Sequence, residues 1–257
     1  MKFSFSFKKF QLAAASLICA GAANVAHADV IDFETVNASN APFAPLLAGN
    51  DYVIQGKYFV QLIEPNNPAG GGMAGALMNG LDASSCLDQA CPSGNATNFI
   101  GSVNDSIVHF GQLSGAVSIL SSFDAAFVAP AGSGLPSSTV AYLAIEADRS
   151  DGTYAIGVFA LNGPASSGGL TAFSSFNASA AEIIGGSGTL TSGNVTDLYA
   201  YAYYCSSDNC SAFASNKGQF ALDNIAINVS AVPEPSTWLL MALGLSAVPA
   251  LARRRSA

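Results

Sequence analysis

Basic residues are scarce: nine lysines and arginines stand against 17 aspartates and glutamates in 257 residues. Six of the nine lie at the two ends, so residues 29–231 keep Lys57, Arg149 and Lys217 against sixteen acidic residues, a net charge near −13. A body so poor in cations has no basic patch to neutralise phosphates, which excludes nucleic-acid binding by that route. The same charge repels anionic polymers and favours divalent cations or cationic partners. Histidine is limited to His27 and His109, and the single tryptophan is Trp238. No Cys-x-x-Cys occurs, no glycine run leads into Lys-Ser or Lys-Thr, and no Gly-x-Ser-x-Gly elbow falls within residues 29–231. Redox, phosphate-cradling and serine-elbow chemistries therefore lack their signatures. No segment sustains a 3.6-residue amphipathic period with caps. Hydrophobic residues make up 50% and charged residues only 10%, with 25 glycines and 11 prolines of no collagen-like period, so a buried core is available.

The two ends read as addresses. Lys2, Lys8 and Lys9 precede the apolar stretch 12–23, and Ala26-His27-Ala28 is a small-x-small cleavage site. That three-part pattern predicts a signal peptide over 1–28, cut by signal peptidase between Ala28 and Asp29. At the other end, Pro233-Glu234-Pro235 leads into the apolar run 238–252 and then Arg253, Arg254 and Arg255. A run of that length is at the short edge of a transmembrane helix. The arginines would hold its end in the cytoplasm, with Trp238 at the outer interface. Pro-Glu-Pro, short hydrophobic helix and arginine cluster together resemble the PEP-CTERM sorting signal of Gram-negative bacteria. That resemblance covers residues 232–257. It implies recognition and trimming by an exosortase, transient anchoring in the inner membrane, release to the cell surface or medium, and association with exopolysaccharide and biofilm.

Between the addresses, residues 29–231 read as one all-β domain, an antiparallel β-sandwich of jelly-roll-like type. Strand patterns occupy 30–34, 57–64, 106–110, 117–128, 139–147, 153–161, 170–176, 198–204 and 219–229. Asp148-Arg149-Ser150-Asp151-Gly152 has hairpin-turn chemistry. The glycine-rich stretch 70–80 reads as a long loop. Cys19 goes with the signal peptide. Cys86, Cys91, Cys205 and Cys210 fall in two pairs of equal spacing, and in an exported chain an even count argues for disulfides. Local pairing, 86–91 and 205–210, is favoured because each bond closes a small loop and pins its tip. A zinc site built from all four is the rival.

Four chemistries deserve a place on this body. Asp32 and Glu34 near its start and Asp223 near its end supply hard oxygens for a structural Ca2+, as in jelly-roll carbohydrate-binding modules, which the pattern resembles at the level of fold. His109, with Asp105 or Asp124 and a serine, is the only basis for a hydrolytic triad. Glu146, Asp148 and Asp151 cluster around the expected turn, where adjacency does not set two carboxyls across a cleft. Tyr142, Tyr154, Tyr199, Tyr201, Tyr203 and Tyr204 offer faces for pyranose rings, and 199, 201 and 203 share one strand face at period two. The reading is a non-enzymatic, exported surface or matrix protein. A calcium-dependent carbohydrate-binding module and a secreted hydrolase using His109 are the alternatives.

Overall fold

The computed structural model describes residues 28–228, apart from 68, 87–88, 117, 131–133, 167–168, 207–208 and 215–216. The expected signal peptide before Ala28, the Pro233-Glu234-Pro235 motif, the apolar run and Arg253–Arg255 lie outside the described residues. Among the described residues, no helix is long and apolar enough to cross a membrane.

Two antiparallel sheets form a sandwich. The larger has nine strands in the order β15 (Glu182–Gly186), β13 (Tyr154–Asn162), β12 (Thr139–Arg149), β16 (Val195–Ser206), β9 (Ile107–Gln112), β5 (Tyr58–Ile63), β4 (Tyr52–Gln55) and β2 (Asn37–Asn40), with β17 (Asn209–Ser211) paired to β16. The smaller has seven: β14 (Ser174–Asn177), β10 (Ile119–Phe127), β18 (Phe220–Asn228), β8 (Asn98–Ser102), β6 (Met73–Asn79) and β3 (Leu46–Ala48), with β1 (Ala28–Ile31) also paired to β18. A short ribbon joins β7 (Gln89–Ala90) to β11 (Ala129–Pro130).

Strand alternation builds the core. On β12, Ala141, Leu143, Ile145 and Ala147 face inward; on β16, Leu198, Ala200 and Ala202 do the same. They meet Phe123, Ala125 and Phe127 of β10 and Phe220, Leu222, Ile225 and Ile227 of β18. Each fully buried Leu, Ile or Phe contributes about 1.5–3 kcal/mol of transfer free energy. At one end Phe123, Phe159 and Phe176 close a triangle with ring centroids 5.0, 5.4 and 5.5 Å apart.

Two expectations change here. Residues 73–79, expected as loop, form β6 in the interior of the smaller sheet. Gly75 permits this, because a Cβ there would sit 2.2 Å from the Gly101 carbonyl oxygen on the neighbouring strand. Glycine in this segment thus allows close backbone approach rather than a loop. In 170–176, expected as strand, the strand is confined to Ser174–Asn177, and Ala172 makes an isolated bridge to Ser93. The 148–152 hairpin is as expected: Arg149 N–H and Thr153 C=O close it, and Gly152 takes the positive φ that its turn demands.

The two sheets treat their outer faces differently. Behind the smaller sheet, Phe99 and Ala221 point away from the main core and join Ala76, Met78, Cys86 and Val128 in a second apolar cluster, with Cys91 and Phe173 packed on it. The outer face of the larger sheet carries half-buried Phe59, His109, Tyr199 and Tyr203 with the carboxylates of Glu146, Asp148 and Asp197, and Phe213 covers Tyr201 there.

Candidate functional site: the outer face of the larger sheet

Register assembles the site. Across β5, β9, β16, β12 and β13 one row reads Gln61, His109, Tyr199, Glu146, Ile156. The next reads Phe59, Gly111, Asp197, Asp148, Tyr154. Toward the other end of β16, Tyr201 lies opposite Ala144 and Tyr203 opposite Tyr142. Small inward residues (Ala200, Ala202) alternate with large outward ones on β16, of which Tyr199 and Tyr203 are half-buried and Tyr201 is buried.

The rings touch in sequence. His109 stacks on Tyr199 at 4.4 Å with 12° between planes, and Phe59 meets His109 edge-on at 4.8 Å. Gly111 leaves room for the Phe59 ring, whose edge would lie 3.3 Å from a Cβ there. Tyr201 packs against Tyr203 at 5.8 Å and under Phe213 at 5.3 Å. His109 Nε2 pairs with Asp197 Oδ1 at 2.9 Å, and Nδ1 lies 3.3 Å from Gln61 Oε1.

Three carboxylates sit among these rings. Burial raises Glu146 above the usual carboxylate range; the Asp148 charge adds to this, and a hydrogen bond from Tyr201 opposes it. Asp148 is likewise raised by burial and then by Asp197, with His109 pulling it back. The Tyr199 phenol is raised by burial and by all three carboxylates. Arg149, next in sequence to Asp148, turns its guanidinium away to the carbonyls of Ser187, Thr189 and Ser192. Lys57 pairs with Asp29 at 2.5 Å.

The other expected sites fare variously. His109 finds its acid in Asp197, not Asp105 or Asp124. Asp105 is buried and accepts the Gly218 N–H, while Asp124 accepts Ser175 Oγ at 2.5 Å and Asn224 Nδ2 at 2.8 Å. Both His109 nitrogens face Asp197 and Gln61, so no serine completes a triad there. Glu146 and Asp148 belong to β12 itself, and only Asp151 is in the turn, where it accepts the Thr153 N–H and hydroxyl. Tyr204 faces inward, packs on the core and lies 5.4 Å beneath Lys217 Nζ.

Asp32, Glu34 and Asp223 do not form a metal cluster: among the described residues, no group of three His, Cys, Asp or Glu side chains is placed to hold an ion. Their oxygens serve the fold instead. Asp32 accepts Gln55 Nε2 at 2.5 Å and Glu34 N–H at 3.1 Å, and Glu34 accepts Asn98 N–H at 2.6 Å. Asp223 is fully buried under Asn95 Nδ2 at 2.7 Å and Thr97 Oγ1 at 3.1 Å. Hydrogen-bond donors from the chain thus occupy these carboxylates. Asn224, at φ +48, lies beside the irregular β10–β18 pairing.

The cysteines sit at disulfide distance in the two local pairs, with Sγ–Sγ 1.89 Å for Cys86–Cys91 and 2.08 Å for Cys205–Cys210. Cys86 is wholly buried, whereas the second pair bridges the outer β16–β17 hairpin. Ala28 and Asp29, flanking the expected signal-peptide cut, both lie in β1; a cut there would leave Asp29 paired with Ile227 and bonded by the Tyr58 hydroxyl at 3.0 Å.

Residues 231–256 match the PEP-CTERM protein-sorting motif. This chain carries a PEP-CTERM sorting signal. The motif implies an exosortase-targeted extracellular protein, held transiently at the membrane and then secreted, with an exosortase as its processing partner. No curated protein matches the chain. Among solved structures, a DUF4465 family protein from Bacteroides caccae is similar at 13% identity over 79% of this chain and all of that one, with a TM-score of 0.49. The enzymatically active domain of bacteriophage CBA120 tailspike protein 4 is similar at 11% identity, with a TM-score of 0.27; the match covers 68% of this chain and 19% of that one. Both TM-scores fall below 0.5, and neither similarity bears on function.

Proposed function

We propose that this is a non-enzymatic protein of the extracellular matrix or cell surface, whose larger sheet holds polysaccharide on its outer face. The observation that carries the reading is the set of half-buried rings on that face, Phe59, His109, Tyr199 and Tyr203, with Tyr201 buried between the last two. An aromatic ring packs well on the C–H groups of a sugar, while the phenol and neighbouring carboxylates meet its hydroxyls. The sorting signal adds the compartment, and the resemblance it rests on adds exopolysaccharide as the natural polymer of a Gram-negative producer.

Binding is favoured over turnover by geometry. Glu146 and Asp148 stand two residues apart on one strand, so they lie side by side on the same face, not opposed across a cleft as glycoside hydrolysis requires. A calcium-dependent module is the weaker variant, since Asp32, Glu34 and Asp223 are engaged by the chain's own donors. The test is co-sedimentation of the purified protein with extracellular polysaccharide from the producing culture. Binding should persist with chelator, release no reducing ends, and fall in Tyr199→Ala and Tyr203→Ala variants that keep the parent melting curve. Absence of binding, or equal binding by the variants, overturns the reading; reducing ends that disappear in Glu146→Gln would make the protein an enzyme.

A further inference from the structure

Resting on that reading, we propose that the polymer taken by this face is cationic, a glycan of amino sugars with free ammonium groups. The argument is charge complementarity. Glu146, Asp148 and Asp197 fall on three adjacent positions of two paired strands: Glu146 opposite Tyr199, and Asp148 opposite Asp197. Tyr201 is hydrogen-bonded to Glu146 and the His109 imidazole to Asp197, while the Arg149 guanidinium turns to the carbonyls of Ser187, Thr189 and Ser192 and Lys57 pairs with Asp29. Burial first, and a neighbouring carboxylate second, hold both carboxyls above their ordinary range.

An ammonium group answers each feature of this face. It supplies the missing positive charge to the carboxylates. It also sits favourably over a phenol ring, as Lys217 does over Tyr204 elsewhere in the chain. The sugar ring that carries it stacks on Tyr199 or Tyr203. These two tyrosines are four residues apart on one strand, about 13 Å, which suits a repeating chain better than a single small ligand. An anionic polymer meets three carboxylates here and is repelled. A neutral one gains the stacking but leaves the charge uncompensated.

Isothermal titration of the purified protein with glucosamine hexamer, N-acetylglucosamine hexamer, a neutral glucose hexamer and an alginate hexamer separates the outcomes. The free-amine hexamer should bind about tenfold more tightly than its acetylated twin, and alginate not at all. Glu146→Gln with Asp148→Asn should erase that preference and leave the weaker binding of the acetylated and neutral chains. Asp82→Asn with Asp124→Asn, which removes the same charge on the side of the smaller sheet, should preserve it. Equal affinity for free-amine and acetylated hexamers overturns the inference and leaves glycan binding standing. Equal loss in both double variants also overturns it, because the attraction would then belong to the whole acidic surface. No binding to any hexamer overturns this inference and the function it rests on together.

Discussion

Arg149 offers the sharpest test of how the sandwich holds its site. Its side chain is 8% exposed and reaches three main-chain carbonyls: Nε to Ser192 at 2.8 Å, Nη1 to Ser187 at 2.9 Å and Nη2 to Thr189 at 2.8 Å. Gly188 and Gly193, at φ +74 and +81, bend the 187–193 segment around the guanidinium, and a Cβ on Gly193 would lie 2.6 Å from Arg149 Cδ. Arg149→Met keeps the stem and deletes the three charge-assisted bonds, each contributing about 1–1.5 kcal/mol net. The loss should be about 3–5 kcal/mol. For a body of this size each kcal/mol shifts Tm by about 2–4 °C, so the midpoint should fall by about 12 °C. Hydrogen exchange should speed first in residues 187–193. Arg149→Lys should recover less than half of the loss, because a single ammonium cannot span three carbonyls. A Tm within about 2 °C of the parent, with unchanged exchange in that segment, would refute the reasoning.

Asp148→Asn tests the electrostatics by pH. The folded state raises this carboxyl, so it holds its proton more tightly than the unfolded chain does. Stability should then decline as pH rises from the ordinary carboxylate range through the raised one, and the penalty is fully present at neutral pH. The variant should melt above the parent at pH 7 and level with it in acid; equal melts at both pH values would count against the assignment. Phe123→Ala opens the three-ring cluster with Phe159 and Phe176 and should cost about 3–5 kcal/mol, read from the urea midpoint. Replacing either pair of cysteines by serine frees a small loop, worth about 2 kcal/mol in the unfolded chain. The 86–91 variant should lose more than the 205–210 variant in a thermal melt, because Cys86 also packs on Met78 and Phe99; the reverse order would contradict this.

Much of the fold was readable from local pattern. The β12–β13 hairpin announced itself through its turn residues, and the tyrosine stripe of β16 through its period of two. Which face the stripe occupied was not readable, since alanine alternates with tyrosine and hydropathy alone would send the larger rings inward. The site itself depends on register between distant strands. Asp197 is 88 residues from His109, and only the β9–β16 pairing brings them together. Asp105 and Asp124 were nearer in sequence, but one is buried at Gly218 and the other engaged by Ser175 and Asn224. Asp223 read as a calcium ligand because nothing local reveals Asn95 and Thr97, which come from more than a hundred positions upstream to cover it. The glycines of 70–80 misled for a related reason: their role is set by the strand that Gly75 approaches, not by their own run.

The account turns on a sheet-built body that acts outside the cell after both ends are removed. Intact-mass measurement of the protein from the culture medium and from washed cells tests this directly. The account predicts medium or surface material beginning at Asp29, shortened at the Pro-Glu-Pro tail, and without free thiols. Full-length, reduced protein confined to the cell interior would contradict it.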